Sequence, residues 1–353
     1  MTSASIRHPF PLGPRPVRLV RIALVLILLG ELYVTATVQL PGLLQPTALG
    51  SDPSNYYAAG QRLNAGHELY GPLQVTDRPV PGYPGQFPAP ILSPPLVAVA
   101  WRPLAALGDA SMTIWWAADL ALVLGLVIWF AAVGRRWTLG GLLVLLALGW
   151  PVALALAAPY RYLGDRSPIS IAALSGNLNG YLAGLCVLAW WAASRGRSWL
   201  AGAAAGLAAA LKLGPFAIAW WLVVQRDWPA LKAFIVTVVI LGIVGLIGAG
   251  LEANLAFARL AIGAGITPTP LSVPGMLSAW LGLDLHLADL GTLAATSVGL
   301  AAVYATRRDA RISFFVAILV VIFSSPVVLV GNFVLLLAAV APSAVPGPRR
   351  RLP

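Results

Sequence analysis

Long apolar runs organise this chain, and short polar or basic clusters punctuate them. The runs at 19–40, 111–133, 139–158, 169–193, 200–224, 234–250 and 290–305 approach or exceed the roughly 20 residues that cross a bilayer core as a helix. Each predicts a membrane helix. A last pair of segments is predicted to meet near Ser324, Ser325 and Pro326.

The basic residues fall at the ends of these runs: Arg15, Arg18 and Arg21; Arg135 and Arg136; Arg195 and Arg197; Arg226 and Lys232; Arg307, Arg308 and Arg311; Arg349, Arg350 and Arg351. Clusters at run ends mark cytoplasmic loops. Threaded on them, the chain reads as an all-α polytopic membrane protein with roughly ten transmembrane segments. Tails 1–18 and 346–353 lie in the cytoplasm, and 19–345 form one transmembrane domain. The first run is long enough to span and no small-residue cleavage site follows a short apolar core, so it predicts a first transmembrane helix rather than a cleaved signal.

Two stretches need separate treatment. Residues 42–110 form a first outer loop, and within it 91–107 carries Pro94, Pro95, Pro103 and Arg102, which predicts a helix lying at the interface rather than a span. The run 200–224 has Lys212, Gly214 and Pro215 at its middle and basic clusters on both flanks. That pattern predicts a broken hairpin of two half-spans with Lys212 at the outer turn; one straight helix is the alternative.

Composition removes whole classes of function. With 59% hydrophobic and 10% charged residues, the chain cannot clothe a soluble core of this size, nor is it disordered. The formal charge of +11 forms no single face, so nucleic acid is not an expected partner. Cys186 is the one cysteine, which excludes an internal disulfide, a thiolate zinc cage and an iron–sulfur cluster. Without a P-loop or a D-x-D pair, no metal, nucleotide or other cofactor is expected.

Polar residues concentrate in the outer regions, above all at 51–70. Asp52 precedes Pro53, as an N-cap precedes a first-turn proline, and Gly66 is placed to end the helix. Tyr56, Gly60 and Leu63 then share a face, with Tyr57 beside it. Asp52 reads as a helix cap and, at the start of an interfacial helix, also as a catalytic base; the same residue can do both.

The segment D-x-x-x-Y-Y-A-A-x-x-x-L-x-x-G-x-x-L-Y from Asp52 to Tyr70 resembles the first outer loop of family 87 glycosyltransferases. So do Pro94-Pro95-Leu96 with Arg102-Pro103-Leu104, Gly176-Asn177-Leu178-Asn179, and Leu211-Lys212-Leu213-Gly214-Pro215. The resemblance runs across most of 19–345. It implies a GT-C fold that transfers a sugar, typically mannose, from a polyprenyl-phosphate donor to a lipid-linked or cell-envelope glycan acceptor outside the cell membrane. It also implies roles: Asp52 as base, Lys212 on the donor phosphate, and Tyr56, Tyr57, Asn177, Asn179 and Asn332 on substrate. The family's last outer turn usually reads Ser-Pro and then histidine, whereas here Asn332 stands near the histidine position, and the family's N-x-S-L element is reduced to 270–275.

Each role has a plainer counterpart. Lys212 reads also as a snorkelling lysine, Asn177 and Asn179 as helix-end caps, Tyr56 and Tyr57 as interface aromatics, and Arg161 and Arg166 as solvated loop residues rather than phosphate contacts. His67 and His286 read as loop residues. Glu31 and Asp119, acids inside apolar runs, support a rival reading, a transporter or lipid flippase. The absent histidine supports another, a non-catalytic partner in a glycosylation complex.

Overall fold

The structure, a computed structural model, describes residues 51–70, 91–133, 176–261, 269, 271–282, 285–325 and 327–345, with single positions at 18, 19, 22, 26 and 29. All regular structure among the described residues is helical. In order these are α1 (Ser51–Asn64), α2 (Pro95–Ala105), α3 (Ala110–Val133), α4 (Asn179–Ser194), α5 (Ser198–Leu211), α6 (Phe216–Val224), α7 (Trp228–Ala261), α8 (Val273–Leu281), α9 (Leu285–Ala305) and α10 (Ala310–Phe323). A 3₁₀ turn (Val330–Leu335) leads into α11 (Leu336–Ala344).

Two of these, α3 over Ala110–Phe130 and α7, are long and apolar enough to cross a membrane, and several shorter helices are apolar too. The run 139–158, the loop 159–168 and most of 19–40 lie outside the described residues. Within that first run, Leu19, Ile22, Leu26 and Leu29 are helical and outward-facing. Their spacing is one stripe of a helix, and an exposed stripe of this kind suits lipid.

Local chemistry sets the helix ends. α1 closes at Gly66, whose φ is 72°; the amides of Gly66 and His67 return to the carbonyls of Leu63 and Arg62 at 3.3 and 2.8 Å, the paired bonds of a glycine-terminated helix. At its other end α1 begins at Ser51, so Asp52 lies within the first turn instead of capping it from outside. A carboxylate there is still favoured by the unpaired amides.

The straight alternative for 200–224 is not what forms. α5 stops at Leu211, Lys212 is extended (φ −156°, ψ 139°), and Pro215, which has no N–H to give, stands at the start of α6. Helix α7 overruns the predicted end at Gly250 but bends there, at φ 81° and ψ 166°. The Asn254 side-chain amide donates to the Gly250 carbonyl at 2.7 Å and to the Gly245 carbonyl, before the bend, at 3.4 Å, the kind of side-chain bond that supports backbone at a break in a membrane helix.

Small residues let the helices approach closely. A β-carbon on Gly202 would run into the Ala230 carbonyl, and one on Gly206 would stand 2.8 Å from the Phe234 carbonyl, so α5 lies backbone to backbone along α7. Large aromatics fill the interior: Trp190, Trp221 and Phe314 are buried with ring centroids 5.0 to 5.8 Å apart. Arg102 ties three elements. Its Nε donates to Asn64 Oδ1 at 3.0 Å, Asn64 Nδ2 donates back to the Arg102 carbonyl at 2.9 Å, and its guanidinium reaches the Gly248 carbonyl just before the α7 bend.

Candidate active site

Four interruptions of the helical bundle face one cavity of about 560 Å³. They are the start of α1 with Asp52 and Tyr56, the start of α4 with Asn177 and Asn179, the break between α5 and α6 with Lys212, and the 3₁₀ turn with Asn332. Polar side chains gather at such interruptions because helical backbone satisfies itself and broken backbone does not. Three helix starts, those of α1, α4 and α6, line the cavity, so the positive ends of their helix dipoles lie at that wall.

Burial pushes the Asp52 carboxyl above the usual carboxylate range; the charge of Lys212 and a hydrogen bond from Asn177 pull the other way. The outcome is a carboxylate more basic than a solvated one, standing beside a cation. Tyr56 lies against the same acid. Burial first, and the Asp52 charge second, raise its phenol above its ordinary value, so it stays neutral, with the Leu178 amide and the Ser93 side chain as hydrogen-bond partners.

A second set of bonds links the remaining polar groups. Lys212 Nζ donates to Asn179 Oδ1 at 3.2 Å, Asn179 Nδ2 donates to Asn332 Oδ1 at 2.8 Å, and Asn332 Nδ2 donates to the Val327 carbonyl at 3.3 Å. Asn177 Oδ1 accepts from the Asn179 backbone amide at 2.7 Å, holding the turn that leads into α4, while its side chain also bonds Asp52.

Most of the rest of the lining is apolar: Phe216 and Trp220 from α6, Phe257 and Leu260 from the far side of the α7 bend, Leu300 from α9 and Val320 from α10. The cavity therefore has a charged head and an apolar arm. Several of its members were not singled out in the sequence, namely Asn55, Ser93, Thr296, Trp220 and Phe257. Their only signal there was polar or aromatic character within or beside an apolar run.

The structure brings Asp52, Tyr56, Asn177, Asn179, Lys212 and Asn332 to this cavity, but not Tyr57. Tyr57 is buried on another side of α1, where Gln61 donates to its hydroxyl at 2.8 Å. His67 lines a separate cavity of about 620 Å³ with Glu68, Glu252 and Arg259. Asp119 points into the protein, its carboxylate against Gly180, without a hydrogen-bond partner among the described residues. Glu31, Arg161 and Arg166 lie outside the described residues, as does the side chain of His286. Among the described residues no cluster of three or more metal-ligating side chains occurs.

The family model for glycosyltransferase family 87 matches residues 92–331, well over half of the 353 residues. The chain belongs to glycosyltransferase family 87. Neither a curated protein nor a solved structure matches it. The match spans α2, the Asn177–Asn179 turn and the Lys212 break, and ends at residue 331, one short of Asn332. Asp52 precedes it. This family 87 protein is accordingly a glycosyltransferase by family, and its apolar helices are those of a membrane protein.

Proposed function

We propose that this family 87 protein is an inverting glycosyltransferase that moves mannose from a polyprenyl-phosphate carrier to a lipid-linked or cell-envelope glycan acceptor. In this reading it is a multi-pass cell-membrane protein with a GT-C-like arrangement of roughly ten spans. Its cavity opens on the non-cytoplasmic side. The observation that carries the proposal is that Asp52 and Lys212 line one cavity, beside a group of amides and a largely apolar wall.

The chemistry follows from that pairing. The acceptor hydroxyl oxygen attacks the anomeric carbon, and the bond from that carbon to the phosphate oxygen breaks. Asp52 takes the hydroxyl proton, and its burial makes it the stronger base for doing so. The electron pair of the broken bond leaves on the phosphate, whose growing charge Lys212 and the helix starts around the cavity stabilise. One displacement inverts the anomeric centre and needs no covalent intermediate. Apolar side chains such as Phe216, Trp220 and Leu300 suit the isoprenoid part of a carrier.

The test is transfer by the purified full-length protein in nanodiscs, with a panel of polyprenyl-phosphate sugars and crude membrane lipid as acceptor. Polyprenyl-phosphate mannose should yield a new glycosidic product with inverted configuration, and Asp52→Asn should abolish it while still binding donor. Product from a nucleotide sugar alone, or full activity in Asp52→Asn, would end the proposal.

A further inference from the structure

The hydrogen-bonded chain at the cavity has its direction fixed from both ends. Lys212, as an ammonium, only donates, and the Val327 carbonyl only accepts. Between them Asn179 must turn its oxygen to Lys212 and Asn332 its amide nitrogen to Val327. The remaining link must then run from Asn179 Nδ2 to Asn332 Oδ1. That is the pattern present. Flipping either amide alone would set donor against donor or acceptor against acceptor.

The anchor of this chain is itself held. Ser325 Oγ bonds both the carbonyl and the amide of Val327, at 2.9 and 3.2 Å, and Thr269 Oγ1 does the same for Val328, at 2.8 Å each. Asn179 and Asn332 are 1% and 5% exposed, so water does not compete for the two amides. Lys212, by contrast, sits on a flexible four-carbon stem whose terminus has no preferred place without a partner.

We infer that Asn332 is a positioning residue: acting through Asn179, it fixes where the Lys212 ammonium stands at the cavity wall. The inference rests on the proposed transfer reaction for its activity readout, but the arrangement it describes is independent of the sugar. Both intermediaries are neutral amides and do not titrate. Among the described residues, the charged groups that line this cavity are Asp52 and Lys212.

A neutral imidazole also has one donor and one acceptor nitrogen, so it can continue the chain from Asn179 to Val327; a protonated one has two donors and cannot. Asn332→His should therefore work at high pH and fail as the ring protonates, around its ordinary pKa of about 6.5. Taking the ratio to wild type at each pH removes the contribution of Asp52.

The experiment is a double-mutant cycle on the full-length protein in nanodiscs, with polyprenyl-phosphate mannose as probe and crude lipid acceptor. Asn332→Leu should lower kcat by roughly tenfold to a hundredfold, with a smaller change in KM, as expected when a reacting group is misplaced rather than removed. In the Lys212→Met background the same change should cost less than about twofold, because the group being positioned is gone. Losses that multiply in full, or an Asn332→His ratio that is flat with pH, would overturn the assignment. If wild type transfers nothing, the proposed function fails on its own, and the cycle is then read as binding of polyprenyl phosphate by quenching of tryptophan fluorescence. Coupled losses in that measurement support the positioning role; independent losses reject it.

Discussion

The carboxylate of Asp119 occupies the space that a β-carbon on Gly180 would need. α3 and α4 thus meet through an acid packed on a glycine, one residue beyond Asn179. Gly180→Ala forces either the acid or the start of α4 to move, and transfer should drop by roughly tenfold or more, the usual cost of a small displacement of reacting groups. Removing the obstacle in Gly180→Ala/Asp119→Ala should restore much of it. Asp119→Asn alone should retain transfer; if it instead abolished substrate movement while Asp52→Asn had no effect, the transporter reading would replace the transferase.

The acid limb of the pH–rate profile should report Asp52. The base works ionised, and burial raises its pKa, so kcat/KM should fall as pH drops through a value above the roughly 3.9 of a free aspartate. Lys212 opposes that shift. Lys212→Met should therefore move the limb to higher pH, and a move to lower pH would contradict the electrostatic pairing.

For the donor phosphate, Lys212→Met keeps most of the stem's packing and removes the charge. The turnover rate should fall on the order of tenfold to a thousandfold, with a smaller loss of donor binding. Lys212→Arg should keep part of the activity, since charge persists in another geometry. Near wild-type turnover in Lys212→Met would return this residue to a snorkelling role.

Helix packing gives a prediction independent of activity. Gly202→Ala places a methyl group into the Ala230 carbonyl, and neither backbone can retreat without separating α5 from α7. A cost of about 1–3 kcal/mol is expected for such overpacking, visible as a lower melting temperature of the detergent-solubilised protein. Gly242→Ala, where nothing lies near the added carbon, is the matching control and should be neutral or better in the same melt.

Sidedness is open to a labelling measurement. In a Cys186→Ala background, Glu68→Cys should react with a membrane-impermeant thiol reagent applied to intact spheroplasts. Arg195→Cys, also exposed, should react only after permeabilisation. The reverse pattern would place the cavity on the cytoplasmic side.

Breaks were more legible in the sequence than contacts. Gly66, Pro215 and Gly250 each mark a place where the backbone cannot continue a regular helix without penalty, and the structure interrupts α1, the 200–224 run and α7 at those residues. Lys212 and Asp52 stood out because charge is scarce in so apolar a chain. The bond between Asn179 and Asn332 spans 153 positions and had no sequence signal beyond two amides near helix ends. Tyr56 and Tyr57 are neighbours of the same chemical type, and only the pitch of α1 and its packing on α2 decide which of them meets the cavity.

The cavity borrows from residue 52, from 177–179, from 212 and from the turn at 327–332, so its parts leave the ribosome far apart in time. A chain made from its N-terminus onward can pair α5 with α7 while the 3₁₀ turn is still unmade. Until that late segment is inserted, Asn179 has no amide to meet and the pocket lacks a wall. Completion of the site is thereby tied to completion of the protein, and a nascent chain stalled before residue 327 holds its acid and its lysine in an unfinished chamber.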